Sequence, residues 1–171
     1  MKKFLVIGNP IEHSLSPKLH NYWIDKKKIG AIYEKKKLHK NDLEKIILDV
    51  KEEKISGINV TVPFKKAVIP FLDELSQEAN ETQSVNTIYL QDGKLIGHNT
   101  DIAGFELAIK YAKFDIKNKN IFVLGAGGVT SSIVYSLKRM NASKITLSNR
   151  TRYKAIEIKD MFRNIDIVEW G

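Results

Sequence analysis

The chain has no cysteine at all. This excludes a disulfide framework, thiolate ligation of metals and cysteine-based catalysis, and it fits a reducing compartment. Prolines number 4 and glycines 10 among 171 residues, too few for a fibrous or linker-rich protein. No apolar run approaches the roughly 20 residues needed to span a bilayer. Met1-Lys2-Lys3 does lead into an apolar stretch, but Gly8-Asn9-Pro10 ends it too early for a signal peptide. The expectation is a cytoplasmic protein without membrane association. His13, His20, His39 and His98 show no close spacing, so no metal site is expected. Charge is not balanced: the net value is +8, with 16 lysines against 13 acids in the first hundred residues and 12 basic against 7 acidic residues thereafter. The basic runs Lys26-Lys27-Lys28 and Lys35-Lys36-Lys37 carry no interleaved aromatics. They read as solvated faces rather than a nucleic-acid footprint, and no nucleic-acid partner is expected. A modest surplus of this sign suits attraction of anionic small molecules.

What is present is a regular alternation of strand and helix patterns. Lys3 to Ile7 reads as a buried strand closed by Gly8-Asn9-Pro10. Ser16 is a good N-cap and Pro17 a good first residue for the helix that follows, with Leu19, Tyr22 and Trp23 at helical spacing and Gly30 as a stop. Ala31 to Lys37 is a second strand. Asn41-Asp42-Leu43-Glu44 resembles a capping box for a helix with Leu43, Ile46, Ile47 and Val50 on one face. In Gly57-Ile58-Asn59-Val60-Thr61-Val62-Pro63-Phe64-Lys65-Lys66, Ile58, Val60 and Val62 alternate with Asn59 and Thr61 as in a half-buried strand. Pro63 then suits a helix start, which puts Lys65 about one turn in. A cationic helix start and desolvation would both lower the pKa of that ammonium and suit it to proton exchange, although a solvated surface lysine fits the same pattern. Residues 73–83 read as helical, and residues 84–97 as a hairpin around Asp92-Gly93. The whole predicts an α/β protein: an N-terminal, mostly parallel domain over 1–101 and a partial Rossmann-type nucleotide-binding domain over 102–171.

That second domain opens with a helix from Asp101, with Ile102, Phe105, Ile109 and Ala112 on one face. A strand read as buried, Ile121-Phe122-Val123-Leu124, runs directly into Gly125-Ala126-Gly127-Gly128-Val129-Thr130. A glycine turn between strand and helix permits a tight bend at Gly125 and close backbone approach of a pyrophosphate at Gly127. The third fingerprint position is Thr130, which predicts a slightly crowded helix–strand contact. About 20 residues further on, where an acid would bond the ribose 2′-OH of NAD, stands Ser148-Asn149-Arg150-Thr151-Arg152, followed by Lys154. Arg150, Lys154 and the Thr151 hydroxyl suit a 2′-phosphate, so NADP(H) is expected over NAD(H).

Polar residues in the first domain gather where α/β sheets place their ligands, beyond the carboxyl ends of the strands. Ser14 and Ser16 precede a helix and suit a carboxylate, though capping alone accounts for Ser16. Asn59 and Thr61 project from a strand end and Asn86 from the hairpin. Asp101 serves as a first-turn helix acid, or, if it lies near Lys65, as the partner of an ion pair that holds and shuttles a proton.

Six blocks in order closely resemble the shikimate dehydrogenase family: Gly8-Asn9-Pro10-Ile11-Glu12-His13-Ser14-Leu15-Ser16-Pro17, Gly57 to Lys65, Ser84-Val85-Asn86-Thr87, Gly97-His98-Asn99-Thr100-Asp101, Gly125-Ala126-Gly127-Gly128 and Asn149-Arg150-Thr151. The resemblance implies reversible NADPH-dependent reduction of 3-dehydroshikimate to shikimate in aromatic amino acid biosynthesis. It implies that Ser14 and Ser16 hold the substrate carboxylate and that Asn59, Thr61, Asn86 and Asp101 bind ring hydroxyls. It implies Lys65 as the acid/base, paired with Asp101, and Gly125, Ala126, Gly127, Gly128, Val129, Asn149, Arg150, Thr151 and Lys154 as the cofactor site. Lys154 stands where relatives often place Arg, which implies a looser phosphate grip. Family members also continue past this length, completing the nucleotide domain and returning a helix with a substrate-contacting Gln. A quinate/shikimate dehydrogenase of broader range and a binding fragment without turnover are the alternatives. Oligomeric state is left open, a homodimer included.

Overall fold

The computed structural model describes residues 1–171 and divides into two compact units, Met1–Asn99 and Thr100–Gly171. In the first, β1 (Lys2–Gly8), α1 (Ser16–Lys26), β2 (Ala31–Lys37), α2 (Leu43–Lys51) and β3 (Gly57–Val60) form a β-α-β-α-β series. They are followed by β4 (Glu74–Leu75), α3 (Gln77–Thr82), β5 (Thr87–Gln91) and β6 (Lys94–His98). The sheet order is β2-β1-β3-β5-β6-β4. β1 pairs in parallel with both β2 and β3, and β4 with β6, whereas β5 runs antiparallel to β3 and β6. The sheet is therefore mixed but mostly parallel.

β1 lies between β2 and β3 and is apolar on both faces, as a strand covered on two sides must be. Leu5 and Ile7 join Ile58, Val60 and the α2 residues Leu43, Ile46, Ile47 and Val50 in the larger core. Val6 packs with Ile11 and Tyr33 on the other side. There α1 buries no residue completely. It is held instead by Asn21, whose side chain donates to the Tyr33 carbonyl (2.8 Å) and accepts from the Tyr33 N–H (2.9 Å). At the hairpin, Asp92 (φ 50°) and Gly93 (φ 74°) both take the positive φ that a two-residue turn matched to strand twist requires.

Several local expectations change. β3 ends at Val60, and Val62 is exposed rather than part of a buried face. No α-helix follows Pro63. Residues 61–68 are turns, with one helix-type bond from the Val68 N–H to the Phe64 carbonyl (3.1 Å), and then a short 3-10 segment, Ile69–Phe71. Pro70 has no N–H to give to the Lys66 carbonyl, so an α-helix begun at Pro63 would lose a bond there. The helix expected over 73–83 shortens to α3, because β4 pairs with β6 first and Ser76 then caps the helix by accepting the Ala79 N–H (3.2 Å). The capping interaction expected at Asn41–Glu44 lies two residues earlier, where the Asp42 carboxylate accepts the His39 N–H (2.8 Å).

The second unit contains α4 (Asp101–Tyr111), β7 (Asn120–Leu124), α5 (Thr130–Arg139), β8 (Lys144–Ser148), α6 (Arg152–Phe162) and β9 (Asp166–Val168). Its strands form a parallel sheet in the order β7-β8-β9. Val134 and Leu137 of α5, Ile145 and Leu147 of β8, and Ala155, Ile158 and Phe162 of α6 make its core. β7 is not the buried strand its composition suggested. Ile121 and Val123 pack on that core, but Phe122 and Leu124 are 55% and 70% exposed. β7 lies at the edge of this sheet, and nothing in this unit covers its face opposite that core; an apolar run by itself does not reveal this.

Gly8 decides how closely the end of β1 approaches the segment after β3. A Cβ there would lie 2.6 Å from Thr61 Cγ2, 3.0 Å from the Val62 carbonyl oxygen and 3.1 Å from Ile11 Cδ1. Gly8→Ala is expected to lower stability by about 1–3 kcal/mol in urea unfolding and to shift the NMR signals of Thr61. Unchanged stability and unchanged Thr61 signals would show that these strand ends part freely.

Candidate active site

At the carboxyl ends of β1 and β3 the first unit has a cavity of about 290 Å³ lined by Val6, Ile11, His13, Ser14, Ser16 and Thr61. Two larger concavities, one around Lys3, Lys36 and Asp49 and one around Asn41, Glu44 and Phe71, lack any such group of hydroxyls. The loop carrying Ser14 is tied to β2 by Glu12. Its carboxylate accepts the Ile11 N–H (3.0 Å) and pairs with Lys37 (3.0 Å), and its carbonyl accepts from Lys35. Its own backbone N–H, then Lys37 and the Ile11 N–H, hold the Glu12 carboxyl at about 2, well below the usual carboxylate range.

The two serines exchange the local roles expected of them. Leu15, not Ser16, occupies the cap position of α1 and makes no side-chain cap. The Ser14 hydroxyl instead accepts the Ser16 N–H (3.3 Å). Ser16 is thus released from capping, and it lines the cavity. Thr61 lines the cavity while its N–H donates to the Ile7 carbonyl (2.9 Å).

Asn59 lies half-buried on β3 and is heavily engaged. Its Oδ1 accepts the Tyr33 hydroxyl (2.7 Å), and its Nδ2 donates to the Asn86 carbonyl (3.2 Å) and to Thr87 Oγ1 (3.1 Å). Thr87 in turn donates to Asn86 Oδ1 (3.0 Å). The Lys65 carbonyl accepts the Val85 N–H (2.9 Å), which fastens the turn carrying Lys65 beside the segment carrying Asn86. In the first unit, then, Ser14, Ser16 and Thr61 share a cavity, while Tyr33, Asn59, Asn86 and Thr87 share a hydrogen-bonded chain. Lys65 is half-buried in a turn, not in a helix. Tyr33, at one end of that chain, was missed by sequence reasoning. The available signal was an aromatic at an inward position beside the charged run Glu34-Lys35-Lys36-Lys37, because a buried phenol needs a partner.

Asp101 belongs to the second unit, as the first residue of α4. In the same unit Gly125 adopts φ +102°, a conformation that favours glycine, and its N–H donates to the Ser148 carbonyl (2.7 Å). A Cβ built at Gly125 or Gly127 meets nothing within 4 Å, so the turn lies open to a ligand. Val129 precedes α5 and is 43% exposed. Thr130 does not crowd the contact as expected. It is buried, and its hydroxyl donates back to the Gly125 carbonyl (3.1 Å), closing the turn. Asn149 braces the same turn: Oδ1 accepts the Ala126 N–H (2.9 Å) and Nδ2 donates to the Thr151 carbonyl (2.7 Å). Arg152 pairs with Glu169 (3.0 Å), whereas the exposed Arg150 and Lys154 form no ion pair. An open glycine turn beside two uncommitted cations fits a phosphorylated dinucleotide.

A mostly parallel α/β unit followed by a Rossmann-type strand–turn–helix defines the general class of dinucleotide-dependent α/β proteins. The comparisons narrow it. Residues 6–88 match the family model for the shikimate dehydrogenase substrate binding domain, and residues 106–169 match that for shikimate / quinate 5-dehydrogenase. The chain is 59% identical over 170 residues to a shikimate dehydrogenase (NADP(+)) of Pelagibacter ubique, covering 99% of this chain and 64% of that protein. The crystal structure of shikimate dehydrogenase from Aquifex aeolicus superposes with a TM-score of 0.91 at 39% identity, over 98% of this chain and 62% of that one. Shikimate 5-dehydrogenase from Thermus thermophilus, solved in complex with NADP(H) and shikimate, gives 0.88 at 32% identity, over 98% and 63%. The chain belongs to the shikimate dehydrogenase family. It spans a little under two thirds of the length of these relatives.

The Glu12 anchor carries a pH signature. A carboxyl whose pKa is depressed by folding contributes stability that is complete above its unfolded value, near 4.5, and is lost as pH falls through about 2. The stability difference between the wild type and Glu12→Gln is therefore expected to be constant above about pH 5 and to shrink toward zero on acidification. A difference that persists undiminished at about pH 2 would remove Glu12 as the anchor. Asn149→Ala is expected to move the amide signal of Ala126 and broaden those of Gly125 and Gly127 without unfolding the chain. Sharp, unshifted glycine signals would mean that the turn holds itself.

Proposed function

We propose that this chain serves the reversible, NADPH-dependent reduction of 3-dehydroshikimate to shikimate, a cytoplasmic step of aromatic amino acid biosynthesis. The observation that carries the reading is the cavity that gathers Ser14, Ser16 and Thr61 at the carboxyl ends of β1 and β3 in a unit matching the family's substrate-binding domain. Ser14 and Ser16 hold the substrate carboxylate, and Thr61, Asn59, Asn86 and Asp101 bind ring hydroxyls. Lys65 moves the proton at the C3 oxygen, delivering it as the ketone is reduced and removing it in the reverse direction, with Asp101 as its acidic partner. The Gly125–Val129 turn and Asn149–Lys154 hold NADP(H), which when bound supplies or accepts the hydride. Arg150, Lys154 and the Thr151 hydroxyl select its 2′-phosphate. The relative solved with NADP(H) and shikimate supports this choice of ligands.

The direct test is the rise in nicotinamide absorbance when the chain is mixed with shikimate and NADP+. Turnover is expected in the wild type and is expected to vanish in Lys65→Ala while shikimate binding persists. Binding of both ligands without turnover in the wild type would instead support a binding module, a reading the partial coverage of the relatives keeps in view. For the cofactor, Arg150→Ala is expected to weaken NADP+ binding about tenfold or more and to leave NAD+ binding nearly unaltered. Equal loss for the two dinucleotides would contradict selection of the 2′-phosphate at this position.

A further inference from the structure

His13 is the one side chain lining the cavity of Ser14, Ser16 and Thr61 that can carry a charge. The rest of the lining is hydroxyl or apolar, the latter from Val6, Pro10 and Ile11. His13 takes the third place of the turn Ile11 to Ser14, closed by the bond from the Ser14 N–H to the Ile11 carbonyl (3.0 Å). The chain on either side of it is held. Glu12 accepts the Ile11 N–H and pairs with Lys37 through its carboxylate, and it accepts from Lys35 through its carbonyl. Ser14 Oγ accepts the Ser16 N–H (3.3 Å). His13 itself is exposed and makes no hydrogen bond, ion pair or ring contact. A fastened turn therefore offers an uncommitted imidazole to the cavity.

Counting donors shows what that imidazole can do. A carboxylate has two oxygens and about four acceptor sites. A serine hydroxyl has one proton to give, so Ser14 and Ser16 together satisfy two of them. Helix starts commonly add free backbone N–H groups, but the first two positions of α1 offer none. The Ser16 N–H is spent on Ser14 Oγ, and Pro17 has no N–H. The Thr61 N–H is given to the Ile7 carbonyl. The cations of β2 nearest the turn in its bonding, Lys35 and Lys37, are both engaged by Glu12. The other imidazole of this region, His20 of α1, stacks on Tyr33 with centroids 4.2 Å apart. His13 keeps a ring N–H whether it is neutral or protonated. A bond from that N–H to a carboxylate is of the stronger, charge-assisted kind.

We infer that His13 is a carboxylate-binding residue: its imidazole supplies a third donor to a ligand carboxylate held by Ser14 and Ser16, and so favours the anion over its neutral ester. This rests on the substrate reading proposed above, and the two fail separately in the experiment. Dissociation constants for shikimate and for its uncharged methyl ester are measured on the full 171-residue chain and on two variants. His13→Phe keeps a ring but has no donor, whereas His13→Gln restores an N–H. Because the position is exposed in a turn, neither change touches the core. His13→Phe is expected to weaken shikimate binding about tenfold and to alter ester binding less than about twofold, and His13→Gln is expected to recover most of the loss. Unchanged shikimate affinity in His13→Phe would overturn the inference. Equal weakening of acid and ester would overturn it too, since the ring would then serve by packing alone, and so would a Gln variant no better than Phe. The imidazole signals of wild-type His13 are followed by NMR with cyclohexenecarboxylate, which has the anion and no hydroxyl. Should those signals move while shikimate fails to bind, the substrate reading falls and the inference stands. Should neither acid bind, both fall.

Discussion

The parallel pairing of β1 with β2 on one side and β3 on the other is the constraint from which the first unit follows. It aligns Gly8, Lys37 and Val60 at one end of the sheet, so the loops leaving β1 and β3 emerge side by side. Everything polar in the cavity depends on that alignment. Ser14 and Ser16 come from the loop after β1 and the helix it starts, and Thr61 from the residue after β3. Gly8 allows the closeness, since any side chain there would displace Thr61. Burial of Leu5, Ile7, Ile58 and Val60 against α2 keeps the strands in register, because a slip of one residue would turn each of those side chains to the opposite face.

A second layer of order is polar. Hydrogen bonds of this kind contribute only about 1 kcal/mol each to stability, so the chain from Tyr33 through Asn59 to Asn86 and Thr87 matters more for direction than for folding. It leaves few orientations open to the Asn59 amide. Glu12 does the same for the loop after β1 through charge and backbone bonds. The glycine turn of the second unit is braced similarly, by Asn149 from one side and Thr130 from the other. In both units a side-chain amide with its two ends committed acts as a strut beside groups that remain open to a ligand.

Much of the element order was legible in the sequence because the patterns were long and self-consistent. The α2 face of Leu43, Ile46, Ile47 and Val50 is buried as a unit, and Asp92-Gly93 makes the turn that its residue types favour. The failures were local and share a cause. Ser16 looked like a cap because Ser-Pro often is one, yet the chain direction entering α1 puts Ser14 within reach of the Ser16 N–H. Pro63 looked like a helix start, but the residues after it form turns and then only a short 3-10 segment. Phe122 and Leu124 looked buried because apolar composition does not say whether a second layer covers a strand.

By itself, the sequence determined the alternation of strands and helices, the residue types at the strand ends and the glycine turn with its adjacent cations. These follow from periodicity, backbone conformational limits and side-chain chemistry, which act over a few residues. Only the tertiary structure decided that Asn59 spends both its donors within the sheet, that Ser14 rather than Ser16 serves the helix start, and that Tyr33 joins α1 to β3. Those outcomes depend on which hydrogen-bond partners lie within about 3 Å once segments 12 to 28 residues apart in the chain are brought together, and no local pattern encodes that distance.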